Sequence, residues 1–136
     1  MSKIIEKIDS GNFIAMTGQL GTCVSILYFK HWMAPEVMEN KNYSLKADVY
    51  SFGIMIWEIC TRKTPYEGKN QQEIALGLIN KKIRPDKSLI PRDTPAGLVD
   101  LMEFCWHEDP TVRPNFEQIL KFLKKILDGN IRMNSQ

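Results

Sequence analysis

From residue 32 onward, apolar residues recur at the three- and four-residue spacing of an α-helix, whereas residues 1–30 show no sustained period. Pro35 starts a short predicted helix that ends near Glu39, because a proline at the first helical position loses no needed N–H group. A second predicted helix, Leu45–Thr61, is apolar on nearly every face, which indicates a position at the centre of a domain. No segment predicts a convincing β-sheet, and residues 1–30 are expected to form a long loop.

A pattern similar to a capping box predicts the third helix. Asn70 stands three residues before Glu73, a spacing that lets the first residue cap the helix, which is expected over 71–81. Gly77 weakens this helix by up to about 1 kcal/mol relative to alanine. The expected apolar side of the helix consists of Ile74, Leu78 and Ile79.

Prolines separate this helix from the fourth one. Pro85 and Pro91 make residues 83–93 an extended connection, because proline interrupts helical hydrogen bonding. Thr94 is the predicted N-cap, and Pro95 is the predicted first residue of the fourth helix. The apolar residues that recur along this helix are Leu98, Leu101, Met102 and Cys105.

An amphipathic stripe predicts the last helix, which follows Pro114 and Asn115 and ends at Gly129. Residues 130–136 are expected to be a frayed tail. The stripe consists of Phe116, Ile119, Leu120, Leu123, Ile126 and Leu127. Taken together, the pattern predicts a mainly α chain with four or five helices.

Composition adds little about partners. The chain has 136 residues, of which 43% are hydrophobic and 25% are charged, as in one small globular domain. Eighteen Lys and Arg residues against 16 Asp and Glu residues give a formal charge of +2, so no concentrated basic surface indicates nucleic-acid binding. The longest apolar-rich run, residues 49–60, is far shorter than the roughly 20 residues of a membrane span.

The cysteines indicate an intracellular location. Cys23, Cys60 and Cys105 are odd in number and form no Cys-x-x-Cys pair, which favours reduced, structural thiols over a disulfide framework. The N-terminus mixes charged residues with isoleucine and lacks the apolar core of a secretory signal. We therefore expect a cytoplasmic protein.

Four motifs follow one another in order: residues 31–37 (HWMAPEV), 47–59 (ADVYSFGIMIWEI), 64–66 (TPY) and 105–116 (CWHEDPTVRPNF). Their order and spacing closely resemble the C-terminal lobe of a eukaryotic protein kinase, most strongly the tyrosine-kinase-like group, whose members mostly modify Ser and Thr. The resemblance implies the helical C-terminal lobe of a fold that is α+β as a whole. It implies a partial kinase domain over 1–127, with an activation-segment loop at 1–36, a helical lobe at 37–127 and a tail at 128–136.

The resemblance also assigns structural roles. Glu36 is the glutamate of the Ala-Pro-Glu triplet. In the family, the residue that it matches forms a buried ion pair with an arginine, and Arg113 matches that arginine. This pair fixes the activation segment to the helical core. Asp48 matches the aspartate that holds the backbone of the catalytic loop. The triplet His107-Glu108-Asp109 could ligate a cation, but we interpret it as a polar loop between helices.

Three residues match positions with a direct substrate role in the family. Thr22 matches the threonine that approaches the catalytic aspartate in Ser/Thr kinases. Trp32 and Met33 match the floor of the pocket for the residue that follows the phosphoacceptor. Ser10 and Thr17 are candidate phosphosites of the activation segment, and ordinary solvated loop hydroxyls are the alternative interpretation.

The motifs of phosphoryl transfer are missing from this sequence. Kinases need a Gly-rich loop, a lysine, a catalytic aspartate and a metal-binding aspartate to hold ATP and Mg²⁺, and none of these motifs occurs here. The run Met1-Ser2-Lys3 resembles the residues just after the Asp-Phe-Gly motif. The chain therefore carries no catalytic, cofactor-binding or metal-binding residue by resemblance, and alone it is expected to be inactive.

Residues 24–30 depart from the family pattern. Deleting them restores Gly-Thr-Cys-His-Trp-Met-Ala-Pro-Glu, a normal end of an activation segment. Because Val-Ser can be encoded by a common splice-donor sequence, we hypothesise a retained short intron, and a genuine loop insertion is the alternative.

The sequence leaves three functions open. The favoured one is the C-terminal part of a kinase domain that transfers the ATP γ-phosphoryl group to protein Ser or Thr. The others are a non-catalytic helical module that binds proteins through the surface around residues 71–82, and a truncated gene-model fragment. The expected partner is a protein substrate or regulatory protein, with no nucleic acid and no membrane.

Overall fold

The computed structural model describes residues 31–39 and 43–134, the last five of these by their backbone only. Within these ranges the chain is helical and contains no strand, which confirms the mainly α prediction. The helices are α1 (Pro35–Met38), α2 (Leu45–Thr61), α3 (Gln71–Leu76, continued by a π-helical turn, Gly77–Lys81), α4 (Ala96–Cys105) and α5 (Phe116–Asn134), with a 3-10 turn at Lys87–Leu89. No helix of the described ranges is both long and apolar enough to cross a membrane.

Helix α2 carries most of the core. The Ser44 side chain caps it by accepting a hydrogen bond from the Lys46 N–H, and Tyr50, Ile54 and Trp57 are fully buried. Ile59, also on α2, is 67% exposed, so the described elements leave part of this apolar helix uncovered. Among the described elements, α4 makes the most extensive contact with α2.

Gly53 sets the distance between α2 and α4. A Cβ atom at this position would lie 2.9 Å from the Cys105 Cβ and 3.1 Å from both the Met102 carbonyl oxygen and the Trp106 nitrogen. Real Cβ atoms essentially never come within 3.0 Å of another such atom, so only glycine permits the backbones to approach so closely. The tight crossing brings Cys105 and Trp106 against the core of α2.

Helix α3 begins as predicted, because the Asn70 side chain accepts a hydrogen bond from the Glu73 N–H at 2.8 Å. The helix changes to a π-helical turn at Gly77, where a Cβ would lie 2.6 Å from Ile83 Cδ1. The placement of Ile79 beside Ile74 and Leu78 is wrong, because the π turn contains more residues than an α turn and shifts the register. Ile74 and Leu78 are fully buried, whereas Ile79 is 37% exposed.

The connection to α4 is extended as predicted, apart from the 3-10 turn, whose cap is Asp86. The start of α4 differs from the prediction by one residue. Pro95, with ψ near 130°, is the N-cap, and Ala96 is the first helical residue. Thr94 does not cap the helix; its N–H donates to the Pro91 carbonyl oxygen, which closes a turn before the helix.

The prediction that α5 ends at Gly129 is wrong, since the helix continues to Asn134. Glycine ends a helix when it adopts the left-handed conformation, and among the described glycines only Gly68 has a positive φ. The amphipathic stripe is only partly covered: Ile119 is buried, whereas Leu120 and Leu127 are exposed.

Candidate substrate-docking site

Arg113 joins three separate segments of the described chain. Its Nη1 donates to Glu36 Oε2 at 2.8 Å and its Nη2 donates to Glu36 Oε1 at 2.9 Å, which forms a two-point ion pair with α1. Its Nη1 also donates to the Lys46 carbonyl oxygen at 2.9 Å, and its Nε donates to the His107 carbonyl oxygen at 2.8 Å. The side chain is fully buried, so this predicted pair fixes α1 to the start of α2 and to the loop before α5.

Tyr50 of α2 lies beneath this network. The guanidinium carbons of Arg113 and Arg84 are each 5.1 Å from the centroid of the Tyr50 ring, a distance typical of cation–π contact. Arg84 Nη2 also pairs with Glu108 Oε2 at 3.0 Å. Burial raises the pKa of Tyr50 to about 12, while the nearby Arg84 charge opposes that rise. The ring is therefore a neutral surface that supports both guanidinium groups.

Trp32 is attached to α2 at two points. The Ser51 hydroxyl donates to the Trp32 carbonyl oxygen at 2.7 Å, and the Trp32 indole Nε1–H donates to the Glu58 carboxylate. Burial raises the pKa of Glu58, and the hydrogen bond from Trp32 opposes that rise. Ser51 and Glu58 were not identified from the sequence. Their spacing of seven residues, which puts them on one face of a helix, was the available signal.

The neighbours of Trp32 complete a small aromatic surface. The His31 ring centroid lies 5.4 Å from that of Trp32 and 6.4 Å from that of Tyr66, and burial lowers the pKa of His31. Trp32 is half-buried, whereas Met33 is almost fully buried. Of the two predicted floor residues, Trp32 thus presents the more accessible surface.

Asp48 lies in the first turn of α2, where its side chain is 4% exposed. The Tyr43 hydroxyl donates a hydrogen bond to its Oδ1. Burial raises the pKa of Asp48 to about 6, because the surroundings disfavour a charged carboxylate. Its role in holding a catalytic loop stays a prediction.

The triplet at residues 107–109 is a polar loop, as interpreted from the sequence. His107 Nδ1 accepts from the Asp109 N–H at 3.0 Å, Glu108 pairs with Arg84, and the Asp109 carboxylate accepts from the Thr111 N–H. These side chains therefore do not converge on one point. Across residues 31–39 and 43–134, no group of three His, Cys, Asp or Glu side chains could hold a metal ion. The described residues thus contain no such cluster that fits a Mg²⁺ ion.

Other predicted sites lie outside the described residues. These are Thr22, the candidate phosphosites Ser10 and Thr17, the segment 24–30 and Cys23. Their assigned roles stay predictions from the sequence.

The sequence profile of the protein tyrosine and serine/threonine kinase family matches residues 24–123. The matched range contains all four motifs and the segment 24–30, but it leaves out Thr22, Ser10 and Thr17. The resemblance inferred from the motifs is thereby confirmed for residues 24–123.

Individual kinases are also similar to this chain. The serine/threonine-protein kinase STY17 of Arabidopsis thaliana is 39% identical over 112 residues, which are 82% of this chain and 18% of that protein. STY46 of the same plant is 42% identical over 111 residues, with the same two shares. The dual specificity protein kinase shkD of Dictyostelium discoideum is 47% identical over 97 residues, which are 71% of this chain and 13% of that protein. The chain thus spans less than a fifth of each of these three relatives.

Proposed function

This chain belongs to the protein tyrosine and serine/threonine kinase family, and from that membership we propose that it forms the acceptor-docking part of a kinase domain. The whole protein would transfer the γ-phosphoryl group of ATP to a Ser or Thr hydroxyl of a protein substrate. Relatives named as serine/threonine kinases and as dual specificity kinases support this activity, and Thr22 favours Ser/Thr by resemblance.

The Glu36–Arg113 ion pair is the observation that carries the proposal. It fixes the segment containing Trp32 and Met33 to helix α2, so an acceptor peptide would meet a preformed surface. Holding an acceptor hydroxyl in one place lowers the entropic part of the reaction barrier. The described residues would thus bind and orient the protein substrate, and they would take no part in the chemical step.

ATP and Mg²⁺ would be held elsewhere in the whole protein. In kinases, the nucleotide and metal ligands come from the Gly-rich loop, the strand lysine, the catalytic loop and the Asp-Phe-Gly motif. When bound there, ATP with Mg²⁺ supplies the phosphoryl group. Asp48 is assigned the supporting role of holding the catalytic loop, and its burial at the start of α2 supports that assignment.

Reading the transcript upstream of the Met1 codon tests this proposal. We expect an in-frame Asp-Phe-Gly with a catalytic loop before it, and the encoded longer protein should incorporate radiolabelled phosphate into Ser or Thr of a generic protein substrate. Stop codons in that frame, or a folded longer protein without transfer activity, would contradict the proposal. The same transcript sequences test the retained-intron hypothesis. That hypothesis fails if every transcript keeps the codons of residues 24–30 between those of Cys23 and His31.

A non-catalytic protein-interaction module is the second candidate. A groove of about 420 Å³ runs along α3 and the π-helical turn and overlaps the predicted docking surface at 71–82. Its lining residues include Lys69, Glu73, Leu76 and Ile83. A sharp thermal transition of the 136-residue chain together with stop codons upstream would favour this module, whereas a chain that never folds would favour a gene-model fragment.

We propose a cytoplasmic location for the protein. Cys60 and Cys105 are free thiols, which supports a reducing compartment. Cys105 is fully buried, and burial raises the pKa of its thiol to about 12, so a structural role is favoured over a redox role.

A further inference from the structure

Of the two predicted docking residues that the structure describes, Trp32 is the more exposed, and the hydrogen bonds from Ser51 and to Glu58 attach it to helix α2. We propose that Glu58 and Ser51 are positioning residues that fix Trp32 for acceptor docking. This inference rests on the proposed function, since it explains how the docking surface is kept in one conformation. The two residues and Trp32 are called the Trp32 clamp below.

The clamp fixes both ends of the tryptophan. Ser51 Oγ donates to the backbone carbonyl oxygen of Trp32 at 2.7 Å, and Glu58 accepts from the indole N–H at the far end of the side chain. Ser51 and Glu58 are seven residues apart on one helix, so their separation is fixed by the helix backbone. A ring held at both ends of its residue keeps a single orientation.

A prepositioned ring favours binding of a peptide. Ordering a side chain at an interface costs free energy, and a ring that is already ordered avoids that cost. Removing Glu58 would leave the indole N–H of Trp32 without its acceptor in a half-buried place, which favours a different ring orientation. Glu58 therefore acts through Trp32 and need not contact the peptide.

The chain contains an internal reference for this hydrogen bond. Trp57, also on α2, donates its indole N–H to the backbone carbonyl oxygen of Asp86 at 2.8 Å. A backbone carbonyl does not titrate, whereas the Glu58 carboxylate does. The two indole groups should therefore respond differently to pH, although they belong to the same helix and the same fold.

The experiment uses the ¹⁵N-labelled 136-residue chain, with indole resonances assigned by Trp32→Phe and Trp57→Phe. Between about pH 8 and pH 4, we expect the Trp32 indole proton to shift upfield as Glu58 is protonated, and the Trp57 indole proton to stay in place. Glu58→Gln should abolish the Trp32 titration but keep slow exchange of its indole proton, because the amide oxygen still accepts. Glu58→Leu should give fast exchange, and Ser51→Ala should shift the Trp32 backbone amide resonance.

Persistence of the Trp32 titration in Glu58→Gln would overturn the proposal, since a group other than Glu58, such as the neighbouring His31 ring, would then be its source. An unchanged exchange rate in Glu58→Leu would overturn it as well. Thr61→Val is the matched control, because the Thr61 hydroxyl donates to the Trp57 carbonyl oxygen on the same helix and not to a clamp residue. It should leave the Trp32 resonances unchanged.

A second measurement separates this inference from the proposed function. A short peptide with a central Ser followed by Leu, added at about 1 mM, should perturb the Trp32 indole resonance. Its binding should weaken about tenfold in Glu58→Leu and recover in Glu58→Gln. If the titration behaves as expected but no peptide perturbs Trp32, the clamp stands and the docking function fails. If the peptide binds equally well to all variants, the positioning role fails and docking stands.

Discussion

The Arg113 guanidinium and the Glu36 carboxylate meet in a two-point ion pair across 77 residues of sequence. The arginine side chain is completely buried, and the glutamate side chain is 13% exposed. Arg113 also uses its remaining donors on backbone carbonyl oxygens of α2 and of the loop before α5. Because a buried cation needs a counter-charge, the energy of this region depends on both partners together.

Glu36→Ala should therefore destabilise the chain by about 3–5 kcal/mol, since the buried guanidinium would keep only carbonyl partners. Urea unfolding measures this change. Glu103→Ala is the matched control, because Glu103 pairs with Lys87 at 3.0 Å on the exposed surface. Its cost should not exceed about 1 kcal/mol. Equal costs for the two substitutions would mean that the buried pair contributes no more than a surface pair.

Gly53→Ala should destabilise the chain by about 1–3 kcal/mol, because the added methyl group would force α2 away from α4 at Cys105. Gly129→Ala provides the same chemical change inside α5, where a Cβ would meet nothing within 4 Å. There the better helix propensity of alanine should stabilise the chain by up to about 1 kcal/mol. Thermal unfolding of the two variants should therefore shift in opposite directions, and shifts in the same direction would contradict the tight crossing.

Asp48 should make stability fall as the pH rises. Burial raises its pKa from 3.8 to about 6 in the folded chain, so the unfolded chain loses the proton first. The extra stability is therefore fully present below about pH 4 and is lost as the pH rises through about 6. We expect a loss of about 1–3 kcal/mol from this residue.

Urea unfolding at several pH values measures this loss as the difference between the wild-type chain and Asp48→Asn. Asp100→Asn, an exposed change on α4, should keep the wild-type slope because Asp48 is still present. A slope that is identical in Asp48→Asn and in the wild-type chain would show that Asp48 does not titrate in this window.

Local signals in the sequence predicted most of the helices. The Asn70 cap and the proline at the start of α1 act on residues only a few positions away. The local sequence is therefore enough to predict them. The displaced side chain of Ile79 could not be predicted in this way. The position of Ile79 depends on the close contact between Gly77 and Ile83, which forms only when the chain folds back after α3.

In the candidate site, too, the contacts between residues far apart in sequence could not be predicted from local signals. The Glu36–Arg113 pair was expected from the resemblance to kinases, because no local rule connects residues so far apart. The bond between Trp32 and Glu58 spans 26 residues and was not expected, since neither side chain has a distinctive motif of its own. Contacts between residues so far apart in the sequence depend on how α2 packs beneath the segment 31–34. The spacing of apolar residues along the chain does not specify this packing.

The polypeptide of residues 1–136 should not bind ATP with Mg²⁺ at micromolar concentrations. Its sequence contains no Gly-rich loop and no Asp-Phe-Gly motif, and its described residues offer no metal-ligating cluster. Isothermal titration calorimetry measures the binding directly. A saturable micromolar isotherm that requires Mg²⁺ would contradict this expectation and would indicate a nucleotide site outside the known kinase motifs.

The exposed apolar side chains should make the isolated 136-residue chain bind a hydrophobic dye. Ile59 on α2, Phe104 on α4 and Leu120 on α5 are each more than half exposed, which is costly for large apolar groups in water. Each uncovered side chain forgoes about 1.5–3 kcal/mol of burial energy, and a small domain has only about 5–15 kcal/mol of stability. We therefore expect dye fluorescence at room temperature and a broad thermal transition.

A pair of neighbouring substitutions on α4 tests whether this exposure causes the dye binding. Phe104→Gln should reduce dye fluorescence and change stability by no more than about 0.5 kcal/mol, because the ring is 55% exposed. Met102→Ala, at a fully buried position of the same helix, should cost about 2–5 kcal/mol and increase dye binding. A sharp, dye-silent transition of the wild-type chain would instead identify a self-sufficient domain. That result would favour the interaction module, since a complete core needs no further helices to cover it.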